Sequence, residues 1–277
     1  MGVSVWDGIS LDEMVRDEER VLRRGRINLR SFDIRKELSP DIWHPDGTIR
    51  GEVRESLLSI AGDFFESVDA DDLALGEPDD VRLLGSLASY NYSGYSDLDV
   101  HVMLDFGRRW TPREVPMMKR YFAMCKSMWN ETHPSLEVAG YPVEMYVQDM
   151  SEPNAANGIY SLATGKWVRK PVPMEGGRID AVLVRKKAAD AISQVEFLER
   201  RAAGTGGAEA AGLMASAKVL KDRIVSGRRE ALASGLGELC TQNIVFKVLR
   251  RSGHLGRLDA LVRRLYDASR SFENYTS

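Results

Sequence analysis

The sequence predicts an α+β protein: a small mixed β-sheet flanked by helices, followed by a C-terminal helical domain. Three observations carry that expectation. Between Val81 and Gln148, short apolar runs alternate with the two-residue period of strands. Around them, apolar residues recur at three- and four-residue spacing, the period of a helix with one buried face. After the Gly176-Gly177 pair, only the helical period continues.

The elements follow in order. Residues 10–24 and 33–38 read as short helices of an N-terminal extension, taken as 1–48. Gly51 to Val68 is an amphipathic helix, with Val53, Leu57, Ile60, Phe64 and Val68 on its buried face. A polar, acidic loop, Asp69 to Asp80, comes next. Val81–Leu84 reads as a strand that Gly85 ends, and Leu87-Ala88-Ser89 is expected to begin a helix. Residues 97–104 form a second strand. Pro112 opens a helix to about Thr132, which His133-Pro134 breaks. Strands at 135–138 and 141–148 make a hairpin around Gly140. In the loop-rich stretch 149–177, Ile159–Leu162 and Lys166–Arg169 pair as a further hairpin, with Trp167 in the core. Helices follow at about 178–202, 208–233, 237–251 and 255–270, separated by Gly204–Gly207, Gly235 and Gly253. The expected domains are 1–48, a core at 49–177 and a helical domain at 178–277.

Composition narrows the function classes. Of 277 residues, 43% are hydrophobic and 29% charged, ordinary values for a globular protein. Two cysteines, Cys125 and Cys240, are too few for a disulfide scaffold and read as reduced. The first 24 residues are charged and lack an apolar signal core, and no run reaches membrane-span length. A cytoplasmic protein with no membrane partner is expected. The net charge of −3 argues against a tight, nonspecific nucleic-acid binder. Local basic stretches exist: eight basic residues between Arg16 and Lys36, five arginines between Arg250 and Arg264, and the group Lys166, Arg169 and Lys170.

Residues 84–105 carry the chemistry. On the strand, Asp97, Asp99 and His101 share one face, while Leu98, Val100, Val102 and Leu104 share the other. The two carboxylates stand about 7 Å apart along the backbone. Bare carboxylates this close repel unless a cation separates them. Magnesium takes hard oxygen ligands, commonly one or two carboxylates plus substrate phosphates. Gly85 and Ser86 precede Asp97 by 12 and 11 residues. Gly85 permits close backbone approach, and Ser86 adds a hydroxyl beside an expected helix start suited to phosphate. In Tyr141–Gln148, Glu144 alternates with Val143 and Met145. If this strand lies beside the aspartates, Glu144 joins their face. Three carboxylates can hold two metal ions.

The pattern Leu84-Gly85-Ser86, ten residues, then Asp97-Leu98-Asp99-Val100 resembles the nucleotidyltransferase superfamily that includes DNA polymerase beta. The stretch Val53–Asp105 is also similar to nucleotidyltransferases of bacteria and their phages. The resemblance covers roughly residues 50–150. It implies a nucleotidyltransferase core in which Gly85 and Ser86 contact a triphosphate. Asp97 and Asp99 would bind two magnesium ions, with manganese as a substitute. Glu144 would be the third carboxylate, on the ion that activates the acceptor. A lysine from the helical domain, Lys218 or Lys221, would reach the triphosphate across a cleft between the domains. Tyr90, Tyr92 and Tyr95 would lie in the loop over the site, where they can stack on a base or pack the loop.

The activity so implied moves a nucleoside monophosphate from a nucleoside triphosphate to an acceptor hydroxyl, an RNA 3′ end being one acceptor. A short or cyclic oligonucleotide, a small molecule or a protein side chain are the other acceptors. A silent nucleotide-binding module is the reading from a different class. Base preference and oligomeric state have no signal in the sequence.

Overall fold

The computed structural model describes residues 27, 29–69, 73, 75–173 and 179–271. The expected helix at 10–24 and most of the N-terminal basic stretch lie outside them. The chain divides into two compact units, with a boundary between Glu175 and Gly176. Together the described residues form a mixed α/β protein with seven α-helices and one six-stranded mixed sheet.

The unit Arg30–Glu175 contains the sheet. Its strands are β1 (Asp80–Leu84), β2 (Leu98–Leu104), β3 (Glu137–Val138), β4 (Tyr141–Asp149), β5 (Ile159–Ser161) and β6 (Lys166–Arg169). They lie in the order β3-β4-β2-β1-β5-β6. Only β2 and β4 run parallel; every other neighbouring pair is antiparallel. A parallel pair needs a crossover, and here α2 (Phe106–Arg109) and α3 (Val115–Thr132) supply it. The expected hairpin is present, its turn formed by Ala139 and Gly140 at positive φ.

Helix α1 (Gly51–Val68) has the bounds its periodicity predicts. Val53, Leu57, Phe64 and Val68 are buried, with Ala61 and Phe65 added, and Ile60 is half-buried. They join Leu98, Val100, Val102 and Leu104 of β2 in a single apolar cluster. The apolar face of β2 is therefore the core face, which leaves Asp99 and His101 on the other side.

Residues 33–38 are not helical. One three-residue 3₁₀ turn, Arg30–Phe32, precedes them, and they run irregularly along the sheet unit. The next segment is anchored by Trp43, which is 2% exposed and stacks on Trp167 with ring centroids 4.6 Å apart. Tyr160 meets both indoles edge-on. Trp167 thus packs against the core as expected.

The stretch after Gly85 also differs from expectation. It is a single 3₁₀ turn, Ser86–Ala88, and Ser89 is already extended. A strand-helix dipole has no room to build there. The turn is held by its neighbours instead. The Trp43 indole N–H donates to the Leu87 carbonyl at 2.8 Å. The Asn157 amide donates to the Ser89 hydroxyl at 2.9 Å. Gly158 passes so close that an added Cβ would stand 1.8 Å from the Ala88 carbonyl oxygen.

The other unit carries α4 (Ala181–Arg201), α5 (Gly207–Ala233), α6 (Thr241–Arg251) and α7 (His254–Arg270). Its core includes Leu213, Ala217 and Leu220 of α5, Leu198 of α4, and Leu258, Leu261 and Leu265 of α7. Ile224 is only partly buried against it.

Gly158→Ala has no space for its methyl group, because the nearest atom is backbone. We expect a loss of about 1–3 kcal/mol in urea unfolding. An unchanged midpoint would mean that the Ser86–Ala88 turn is not pinned from this side.

Candidate functional site

The register of the parallel pair builds the site. Asp99 lies opposite Glu144 and His101 opposite Tyr146. Asp97 immediately precedes β2. One carboxylate oxygen from each of Asp97, Asp99 and Glu144 lies within 4.8 Å of the other two. All three residues are half-buried. The three acids singled out in the sequence are therefore gathered in one place.

Gly85 closes the cluster from the β1 side, where Leu84 pairs with Asp99. It has φ 79° and ψ −160°, a conformation that residues with a Cβ rarely adopt. A Cβ here would also stand 2.0 Å from the Asp99 Oδ2. Glycine lets the backbone turn lie directly on the carboxylate. Ser86 follows at once, but its hydroxyl donates to the Ser96 hydroxyl at 2.8 Å. A hydroxyl has one hydrogen to give, so a phosphate contact requires Ser86 to turn from Ser96. Ser96 in turn accepts from the Ser93 backbone N–H at 3.0 Å, closing the loop ahead of Asp97.

Two further side chains, Tyr146 and Lys126, contact Glu144, and only Lys126 carried no signal in the sequence. The Tyr146 hydroxyl donates to the Glu144 Oε2 at 2.6 Å. The Lys126 ammonium, on α3, lies 3.6 Å from the same oxygen and 3.5 Å from the centre of the Tyr146 ring. Alternation alone puts Tyr146 on the face of Glu144. Lys126 comes from a helix brought over β4 by the crossover, which no local pattern reveals. Loss of hydration, with the nearby Asp99 and Glu144 charges, pushes the Tyr146 phenol well above its ordinary range. Tyr146 therefore keeps its proton and acts as a donor to Glu144.

His101 supports this layer. Its ring stacks on Tyr146 at 4.4 Å and 10°. Its Nδ1 is paired with the Gln148 Oε1 at 2.7 Å, which makes Nδ1 the protonated nitrogen. By surface area His101 is half-buried, yet the protein around the ring strips most of its hydration. That desolvation lowers its pKa to about 4, with Lys126 adding to the drop against the Gln148 bond. It is a satisfied, neutral histidine.

The remaining described positions fall elsewhere. Tyr92 packs on the core and Tyr95 is 65% exposed. Lys218 and Lys221 belong to the helical unit, where Lys221 pairs with Asp259 at 2.5 Å and Lys218 is exposed. Cys125 and Cys240 are half-buried free thiols. Other acids near the strand ends serve structure. Asp79 holds Arg108, Arg109 and the Asp105 N–H. Asp149 accepts from Phe106 and Ser151.

The donor set suits a hard divalent ion. Octahedral magnesium, with bonds of about 2.0–2.1 Å, spaces its ligand oxygens about 3–4 Å apart. Oxygens already within 4.8 Å reach that spacing by small side-chain rotations. No family model matches the chain, and neither the curated proteins nor the solved structures provide a match. Among the described residues, no helix is long and apolar enough to cross a membrane.

Removing the hydroxyl that orients Glu144, with Tyr146→Phe, should weaken Mn²⁺ binding about tenfold or more by electron paramagnetic resonance. Unchanged affinity would show that Glu144 needs no such support. The His101 ring should stay neutral at pH 6 by NMR. The unfolded ring takes up a proton near pH 6.5 and the folded one only near 4, so acid in that window favours unfolding. A His101 titration near pH 6.5 would contradict the desolvated stack.

Proposed function

We propose that this protein is a divalent-metal-dependent nucleotidyltransferase, moving a nucleoside monophosphate from a nucleoside triphosphate to the 3′ hydroxyl of an RNA. One observation carries the reading: three carboxylates from two parallel strands converge beside a glycine turn that lies on one of them. The three acids offer only hard oxygen ligands close together, the donor set that hard divalent ions take. The motif Gly85-Ser86 with Asp97-Leu98-Asp99, similar to that of the nucleotidyltransferases, narrows the chemistry from metal binding to nucleotidyl transfer.

Magnesium bound here would neutralise the triphosphate and lower the pKa of the acceptor hydroxyl. The protein's own part is placement. Asp97 and Asp99 would hold the ions. Glu144 is on the acceptor side, oriented by Tyr146. Gly85 lets the turn approach the phosphates without a side chain in between. In the transfer, the acceptor oxygen bonds to the α-phosphorus, the bond from that phosphorus to pyrophosphate breaks, and the hydroxyl proton leaves to solvent. Most of the acceleration comes from positioning and charge neutralisation.

Asp97→Asn and Asp99→Asn preserve shape and remove charge. With magnesium, labelled triphosphates and RNA, each should cut pyrophosphate release by roughly a hundredfold or more. Glu144→Gln should lower kcat more than it raises KM for the triphosphate. Full activity in the aspartate variants, or no transfer by the unsubstituted protein to any acceptor, would overturn the proposal. In the second case the module binds nucleotide without turnover.

A further inference from the structure

A cleft of about 550 Å³ lies in the sheet unit, between the 36–50 segment, Tyr90 and the chain leaving β6. Three separate stretches of sequence meet in it. Lys36, Arg50 and Lys170 line it, facing two acids, Glu37 and Asp46. Asp46 is turned back on its own chain, where it accepts from the Thr48 N–H at 2.9 Å and the Thr48 hydroxyl at 2.6 Å. The Arg50 guanidinium is steadied by the Pro40 carbonyl, which accepts from its Nε at 2.7 Å. The protein as a whole carries −3, so this is a local reversal of sign.

The apolar wall is aromatic: Trp43, Trp167 and Tyr90. Trp167 has its indole N–H satisfied by the Gly47 carbonyl at 2.8 Å and is stacked on Trp43. A half-buried indole held this way presents π surface with no donor left to satisfy. Aromatic surface interleaved with cations is what a sequence-tolerant single-strand site needs: stacking for bases, charge for phosphates. A volume of this size holds on the order of one or two nucleotides and excludes a duplex.

The cleft is tied through the chain to the Ser86–Ala88 turn, while its Trp167 wall continues the paired row Val100, Leu83 and Tyr160 on the core face of the sheet, opposite the face of Asp99. Trp43 is bonded to Leu87, the residue after Ser86. Tyr90 is four residues past Ser86, at most about 14 Å away at about 3.6 Å per residue.

We propose that this cleft binds a single-stranded oligonucleotide, with Lys36, Arg50 and Lys170 on its phosphates and Trp167 and Tyr90 on its bases. As the place of the acceptor, it rests on the nucleotidyl-transfer reading; as a binding site, it is tested separately. Fluorescence anisotropy of a labelled single-stranded RNA across a KCl titration is the measurement. Single-stranded DNA and duplex RNA of the same sequence are run in parallel. The single strands bind and the duplex binds more weakly. Lys36 and Lys170 are exposed, so Lys36→Ala/Lys170→Ala keeps the fold, checked by circular dichroism. It reduces the slope of log K against log [KCl] by about 1.4, from about 0.7 per lost phosphate contact. Tyr90→Ala weakens binding about tenfold at every salt concentration and leaves the slope alone. No binding, equal binding of duplex, or an unchanged slope in the lysine variant overturns the proposal. Asp97→Asn keeps strand binding while it loses transfer. Strand binding without any triphosphate turnover leaves the cleft standing and removes the catalytic reading. Transfer to a protein or small molecule, with no strand bound, does the reverse.

Discussion

The pairing of β2 with β4 is the constraint on which the site depends. Among the described residues it is the one parallel contact in the sheet, and its register places Asp99 opposite Glu144. A slip of one residue would bring Asp99 beside Val143 or Met145 and turn Glu144 toward the core. The register is held from the opposite face, where Leu98, Val100, Val102 and Met145 are wholly buried. Hydrophobic burial on one side of the sheet thus holds the carboxylates together on the other.

Several partners surround the acids. Tyr146 donates to Glu144, Lys126 brings a tethered ammonium, and His101 backs the phenol with a neutral ring. The polar face of the two strands is therefore layered, with carboxylates first and a hydrogen-bonding aromatic layer behind. A charged histidine in that second layer would oppose Lys126 and any bound cation. Desolvation keeps it neutral. On the β1 side, support comes from the absence of a side chain at Gly85, whose turn is braced by Trp43, Asn157 and Gly158.

This bracing links the acids to the aromatic cluster of Trp43, Tyr160 and Trp167. The same indole that fills the core holds the carbonyl after Ser86. The aromatic wall of the cleft is therefore built from the same side chains that pack against the sheet. Segment 33–50, irregular in secondary structure, owes its order to these contacts rather than to backbone periodicity.

The sequence by itself determined the elements whose side chains alternate or recur. Helix α1, the strands around Leu84, Asp99 and Glu144 and the hairpin at Gly140 all follow from period and burial, which are local properties. Asp97, Asp99, Glu144 and Gly85 were legible for the same reason: each is placed by its position in a strand or at its end. Local pattern misled where tertiary contacts override it. Leu87-Ala88-Ser89 has helical composition, yet Gly158 and Trp43 hold it to one turn. Residues 33–38 form no helix because the sheet unit offers them carbonyl and aromatic partners instead, as where Arg35 N–H meets the Tyr90 carbonyl. Only the tertiary structure decided the parallel register, the arrival of Lys126 over Tyr146 and the meeting of Lys36, Tyr90 and Lys170 in one cleft. Each joins residues far apart in the chain, and their distance is set by how whole elements pack, not by any spacing that a linear sequence can display.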